Sequence, residues 1–188
     1  AVFTCHVVVM ASINIHCIPF LTDMGIDPLF ASGMMGFMIF FMMPTRFLSG
    51  YFSDRVPRNH LRYIVSIAFA FELIGIGVLL IYPTRWTLYM FLALYGMGSG
   101  IPTTVIVIMF GRYYGRKAYG SIHGTTNFFR APLTLIFPVY TGWVFDRTGS
   151  YTTAFVVFWF LLLAGLVFIS FVRPPKAPDR ITEIKDFI

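Results

Sequence analysis

The stretch YIVSIAFAFELIGIGVLLIY, residues 63–82, decides the fold class, because it is almost entirely apolar and contains a single charged residue, Glu72. A bilayer core about 30 Å thick is crossed by roughly 20 such residues in a helix. Similar runs lie on both sides of it, at about 1–21, 29–50, 87–110, 119–143 and 152–172. The sequence therefore predicts an all-α, polytopic membrane bundle of six transmembrane helices over residues 1–172.

The overall composition supports a lipid environment. Hydrophobic residues make up 57% of the 188 residues and charged residues 12%, which leaves too little polar surface for a soluble protein. The net charge of +6 comes from short segments between the apolar runs and not from one basic patch, so we expect the bilayer as a partner and no nucleic acid.

The basic residues alternate between the two sides of the predicted membrane. Only Arg85 and Arg147 lie in the loops after the third and fifth spans. The loops after the second and fourth spans and the tail contain Arg55, Arg58, Arg62, Arg112, Arg116, Lys117, Arg173, Lys176, Arg180 and Lys185. This positive-inside pattern predicts that both ends of the chain are cytoplasmic. The last segment, 173–188, is rich in proline and charge, and we expect a flexible cytoplasmic tail there.

The sequence shows none of the patterns that mark an enzyme. It has no metal-ligand cluster, no nucleophile with a nearby base and no phosphate-binding loop, so we expect no catalytic activity, no metal and no cofactor. Gly96, Gly98 and Gly100 give a GxGxG pattern inside a predicted membrane helix rather than after a strand, so it does not indicate a dinucleotide site. Small residues at such places favour close helix packing.

The loop after the second span reads GYFSDRVPR, residues 50–58. It resembles the G-x-x-x-D-R-x-x-R loop motif of the major facilitator superfamily. The resemblance implies a twelve-helix carrier, of which this chain is the C-terminal half and an N-terminal six-helix half the partner. It also implies that Gly50, Asp54, Arg55 and Arg58 form a conformational gate loop, in which the carboxylate beside two arginines acts as an ionic latch.

A second resemblance covers the last three spans. The runs YGMGSGIPTTVIVIMFGRYYGRKAYGSIHG, residues 95–124, and GWVFDRTGSYTTAF, residues 142–155, are similar to the C-terminal part of the monocarboxylate transporter and oxalate/formate antiporter branch of that superfamily. This implies a secondary active transporter that moves monocarboxylates or dicarboxylates by alternating access, in a plasma membrane or a bacterial inner membrane.

Three formally charged residues lie inside the predicted spans, namely Arg46, Glu72 and Arg130. Such residues are costly in lipid and are functional candidates by default. Arg130 is far from both ends of its span, and the helical repeat places it on one stripe with His123, Asn127, Thr134 and Thr141. A polar stripe with a central guanidinium predicts a wet cavity in which Arg130, Asn127 and His123 bind a carboxylate. The alternative is that Arg130 is a structural partner of Glu72 or of backbone carbonyls.

Arg46 is close enough to the cytoplasmic interface to snorkel, but the resemblance favours a role in substrate binding. In the monocarboxylate and oxalate/formate carriers, an arginine four residues before a glycine and eight before the loop acid or amide binds the substrate carboxylate, and Arg46, Gly50 and Asp54 match this spacing. The oxalate carriers also place a lysine sixteen residues before the terminal aspartate, where this chain has Arg130 before Asp146. Two cations facing one cavity imply an anionic substrate.

The sequence departs from the proton-coupled carriers at Met42, where they place an aspartate one turn before the arginine. Glu72 is therefore a candidate proton site, or a neutral packing residue. The leading hypothesis is a carrier of small organic anions, with protons as a candidate second partner. The alternatives are a major facilitator carrier of a neutral or cationic solute and a six-span membrane interaction module that does not transport.

Overall fold

The computed structural model describes residues 2–172, except for the side chains of residues 116 and 117. Within these residues the chain is helical and contains no strand. Its helices are α1 (Val2–Asp23), α2 (Pro28–Arg55), α3 (Leu61–Ile81), α4 (Arg85–Thr148) and α5 (Thr152–Phe171), with a short 3-10 helix at Arg58–His60 before α3. The predicted tail, 173–188, lies outside the described residues.

The long helix α4 contains two membrane spans. Gly115 interrupts it with φ 77° and ψ 168°, a conformation that glycine adopts without the steric cost a side chain would add. We call the two limbs α4a (Arg85–Gly115) and α4b (Ala118–Thr148). The described residues thus contain six helices that are long and apolar enough to cross a membrane, which confirms the predicted fold class. The fourth and fifth predicted spans are separated by this bend and not by a loop.

The short connections between helices follow from their sequences. Asp27 caps α2, because its Oδ1 accepts hydrogen bonds from the backbone N–H groups of Leu29 (2.9 Å) and Phe30 (3.3 Å), while Pro28 starts the helix with a fixed φ. At the C-terminal end of α4, Gly149 has φ 65° and ends the helix in the left-handed conformation.

The limb α4a is the central helix of the bundle. Of the most apolar 18 residues of α4a, 61% are buried, whereas the corresponding fraction is 17% in α2 and 17% in α4b. It lies directly against α2 and α3, and its fully buried Phe91, Leu92 and Tyr95 belong to the core. The most exposed helices, α2 and α4b, are therefore the ones with large apolar faces left uncovered by this chain.

Glycines allow α4a to approach two neighbours at once. A Cβ at Gly100 would lie 2.5 Å from the backbone oxygen of Met42 in α2. A Cβ at Gly98 would lie 2.7 Å from the backbone oxygen of Ala68 in α3, and one at Gly96 would collide with the Met38 carbonyl. Real Cβ atoms do not occur at such distances, so these three positions accept only glycine unless the helices separate.

We expect Gly96→Ala to destabilise the folded bundle by about 1–3 kcal/mol, because the added methyl group meets a backbone oxygen that cannot move independently of α2. The matched control is Gly111→Ala in the same limb, where an added Cβ meets nothing within 4 Å. Unfolding in mixed micelles would measure both variants. Equal stability of the two would contradict the close-packing account.

Candidate functional site

A cavity of about 360 Å³ lies between α1, α4a and α4b. Its polar lining consists of His6 from α1, Thr103 from α4a, and His123 and Arg130 from α4b. The remainder is apolar and comes from Phe3, Val7, Met10, Pro102, Ile106 and Val107. The cavity therefore combines one permanent cation and two imidazoles with a hydrocarbon wall.

Arg130 is half-buried in this cavity and is oriented by its own helix. Its Nη2 donates a hydrogen bond to Oδ1 of Asn127, one turn earlier. No carboxylate among residues 2–172 forms an ion pair with it, and Glu72 is paired with a different residue. The guanidinium is thus positioned by an amide, which leaves its charge uncompensated within the described part of the chain.

His123 is held by aromatic contacts. Its ring stacks on Tyr119 with the centroids 5.4 Å apart and the planes 8° from parallel, and it meets the edge of Phe110 at 6.2 Å. Its Nδ1 is buried and has no hydrogen-bond partner in the part of the chain that the structure describes. Of the predicted stripe, His123 and Arg130 line the cavity and Asn127 bonds to Arg130, whereas Thr134 and Thr141 bond to backbone carbonyls of α4b.

Arg46 is exposed on α2 and is not among the residues that line the cavity. It makes no side-chain hydrogen bond or ion pair with any residue in the range 2–172. One turn further on, a Cβ at Gly50 would lie 3.6 Å from Cγ2 of Thr104, the neighbour of the cavity residue Thr103. The structure therefore places Arg46 beside the helix that forms the cavity wall but does not bring it to Arg130.

Glu72 is paired with His6. The Nδ1 atom of His6 lies 2.8 Å from Oε1 of Glu72, and the two side chains are 1% and 0% exposed. The pair joins α1 to α3, and His6 also lines the cavity that contains Arg130. The sequence identified Glu72 as costly in lipid but gave no indication of its partner, because the pairing depends on how α1 packs against α3.

His16, ten residues further along α1, has a different partner. Its Nε2 donates a hydrogen bond of 2.9 Å to the backbone oxygen of Pro138 in α4b. This contact joins two helices, and His16 forms no ion pair with an acid within residues 2–172. It makes His16 a natural comparison for His6.

Comparison with known proteins decides the family, because the family model described as Major Facilitator Superfamily matches residues 1–138. The chain belongs to the Major Facilitator Superfamily. It is 27% identical over 169 residues to monocarboxylate transporter 12 of Mus musculus, which covers 88% of this chain and 34% of that protein. It is 30% identical over 184 residues to monocarboxylate transporter 13 of Bos taurus, with 92% and 42% covered.

A bacterial protein is similar to the chain at a comparable level. The transporter YycB of Bacillus subtilis (strain 168) is 28% identical over 157 residues, which covers 83% of this chain and 38% of that protein. The chain thus spans well under half the length of these relatives. Together with the six apolar helices, the matches identify a multi-pass membrane protein of this superfamily that is similar to part of the monocarboxylate transporters.

The loop that carries the superfamily motif is fixed by its arginines. Arg58 donates to the backbone oxygen of Tyr113 (3.3 Å), and the Tyr113 hydroxyl donates to the backbone oxygen of Arg58 (3.0 Å). Arg55 donates to the backbone oxygen of Tyr51 and lies over that ring. Asp54 is exposed and forms no ion pair with a described residue, so the ionic latch stays a prediction.

Arg112 joins this loop to α4a, and the sequence did not single it out. Its Nη1 donates to the backbone oxygens of Ser53 (2.6 Å) and Val56 (3.0 Å), carbonyls at the C-terminal end of α2 that helix geometry leaves without partners. The sequence shows Arg112 only as a basic residue near the end of a span, and the positive-inside pattern explains that position equally well. Arg112 therefore caps α2 from the neighbouring helix.

We expect Arg112→Gln to loosen the end of α2. Backbone amide hydrogen exchange at residues 50–56 should rise about tenfold, since hydrogen bonds to a charged group contribute about 1.5–3 kcal/mol. The control is Arg55→Gln, because the backbone contact of Arg55 lies within its own helix. A similar rise in both variants would show that Arg112 has no special role as a cap.

Proposed function

We propose that this chain is the C-terminal half of a secondary active transporter that moves small organic anions by alternating access. The observation that carries the proposal is the half-buried Arg130, which lines a membrane cavity and has no carboxylate partner among the described residues. A cation at membrane depth is costly unless it is hydrated or meets an anion. A substrate carboxylate would supply that anion.

The cavity suits such a substrate in both chemistry and size. Asn127 orients the guanidinium of Arg130 by accepting a hydrogen bond from Nη2. The other guanidinium N–H groups remain available for two parallel hydrogen bonds to a carboxylate. His123 lies on the same wall and offers an imidazole, and the apolar residues of α1 and α4a accommodate a carbon skeleton. Small-molecule sites of about 300–1,000 Å³ commonly combine a few polar groups with apolar walls in this way.

Arg46 provides the second cation of the proposed site. It has no charged partner in the described chain, and its helix packs beside the cavity wall at Gly50 and Thr104. The resemblance to the monocarboxylate and oxalate/formate carriers supports a role in carboxylate binding. In this proposal Arg46 and Arg130 contact the anion from α2 and α4b, and the Asp54 loop gates the cytoplasmic side.

The missing wall of the site is proposed to come from an N-terminal six-helix half. The helices with the least burial are α2 and α4b, and they expose Phe40, Phe47, Phe128 and Phe129, which are 69–76% accessible. Carriers with repeated six-helix units hold their substrate between the units near the membrane midplane. The positive-inside pattern would place both ends of this chain in the cytoplasm.

We expect Arg130→Gln to lower the uptake of labelled lactate and oxalate by about 10- to 100-fold in kcat/KM, because charge-assisted hydrogen bonds to the carboxylate are lost. The protein expressed from its own gene would be reconstituted in liposomes. Arg147→Gln is the matched control, since Arg147 is exposed and lies near the Trp143 ring at the end of α4b. Native uptake of both anions by Arg130→Gln would exclude the carboxylate role.

Arg46→Gln tests the second cation separately. We expect a loss of the same direction, with a larger effect on oxalate than on lactate, because a second carboxylate benefits most from a second guanidinium. Unlabelled anions, sugars and amines would be compared as competitors in the same assay. Competition by sugars or amines in place of carboxylates would favour a carrier of neutral or cationic solutes.

A further inference from the structure

A second concave surface lies between α2 and α3, and it shares no lining residue with the cavity that contains Arg130. This groove has a volume of about 340 Å³. Its lining comes from Thr45, Leu48, Ser49, Phe52, Val56, Ile64, Ile67 and Ile101. Leu48, Phe52 and Ile67 are 47–54% exposed at its rim, whereas Ile101 of α4a is 8% exposed and forms its floor.

The groove presents hydrocarbon and makes no demand for hydrogen bonds. Its two hydroxyl groups are already used within α2. Thr45 donates to the backbone oxygen of Met42 (2.9 Å), and Ser49 donates to the backbone oxygen of Arg46 (2.9 Å). The other lining side chains are apolar, so the groove suits an alkyl chain better than water or a polar solute.

The length and depth of the groove match one leaflet of a bilayer. The part of α2 that lines it runs from Thr45 to Val56, which is about 16 Å at 1.5 Å per residue. Half of a hydrocarbon core of about 30 Å is about 15 Å. At Val56 the groove reaches the loop that the positive-inside pattern predicts to be cytoplasmic. It therefore has the dimensions of one acyl chain in the cytoplasmic leaflet.

Positive charge lies at the cytoplasmic end of the groove. Arg55 follows Phe52 by three residues, about 60° around the helix, and is exposed. Arg112 donates a hydrogen bond of 3.0 Å to the backbone oxygen of the lining residue Val56. Asp54 is about 160° from Phe52 around the helix and so projects from the other side. Neither arginine forms an ion pair with an acid among residues 2–172.

The groove is on a different side of α2 from the face proposed to meet an N-terminal half. Phe47 represents that face, and it is five residues before Phe52, which corresponds to a rotation of about 140°. A partner that covers Phe47 would leave the α2–α3 groove facing lipid. The bilayer is therefore the neighbour that this side of the bundle meets.

We infer that the groove binds an anionic phospholipid of the cytoplasmic leaflet, with one acyl chain between α2 and α3 and its phosphate at Arg55 and Arg112. A guanidinium offers parallel N–H donors that match a phosphate, and basic pockets between helices on this side of a membrane recognise anionic headgroups. The lipid bridges α2 and α3 beside the loop that carries the superfamily motif. Its binding favours the conformation in which the groove is open. The inference does not depend on the proposed substrate.

The test is native mass spectrometry of the full-length protein in detergent micelles, titrated with phosphatidylglycerol or with phosphatidylcholine of the same acyl chains. Phosphatidylglycerol should bind at least about fivefold more tightly. Ile67→Trp should weaken its binding at least about tenfold, because the indole fills the space of the acyl chain. The matched control is Ile74→Trp, since Ile74 is on the same helix and is also 54% exposed but does not line the groove.

Two further variants separate the contributions of the chain and the headgroup. Leu48→Trp fills the groove from α2 and repeats the first test if Ile67→Trp does not fold. Arg55→Gln should lower the affinity for phosphatidylglycerol about fivefold and leave that for phosphatidylcholine unchanged. Soluble glycerol phosphate, which has the headgroup chemistry without a chain, should not displace the lipid.

Three results would overturn the lipid site. Equal affinity for the two phospholipids would remove the role of the arginines. Equal binding by Ile67→Trp and Ile74→Trp, or displacement of the lipid by glycerol phosphate, would remove the role of the groove. Absence of any bound phospholipid from the wild type would show that another part of the full-length protein closes the groove.

Discussion

The close approach of α4a to α2 and α3 is the constraint on which the rest of the structure depends. Glycine at positions 96, 98 and 100 lets the central helix contact backbone oxygens of both neighbours. In lipid, where helices gain little from hydrophobic burial against each other, such contacts supply much of the packing energy. They also fix α3 at the depth where Gly98 touches Glu72, so the same glycines that hold the bundle together position its buried acid.

The general fold was predictable because lipid imposes a simple pattern on sequence. Apolar runs of sufficient length predicted six membrane helices, and residues 2–172 contain six helices that are long and apolar enough to cross a membrane. The helical repeat places His123, Asn127 and Arg130 on one face; in the structure His123 and Arg130 line the cavity, and Asn127 accepts a hydrogen bond from Arg130. The bend at Gly115 was missed, since a glycine between basic residues reads equally well as a loop and as an interrupted helix.

Contacts between helices could not be predicted in the same way. The helical period tells which residues share a face, but it does not tell which face of another helix they meet. For this reason neither the contact of Glu72 with His6 nor the reach of Arg112 to the end of α2 could be predicted from the sequence. The same limit applies to Arg46. Its spacing to Gly50 and Asp54 matches a family pattern, but its position relative to Arg130 depends on how the helices pack.

The separation of the buried charges has a functional consequence. Had Glu72 paired with Arg130, the two charges would have cancelled, and the cavity would offer no unpaired guanidinium to an anion. Glu72 instead lies against His6, with 2.8 Å between its Oε1 and the imidazole Nδ1. Arg130 instead takes an amide partner that orients it without neutralising it. Among the described residues the bundle thus keeps a guanidinium at the cavity without an acidic partner, and the proposed anion site depends on this feature.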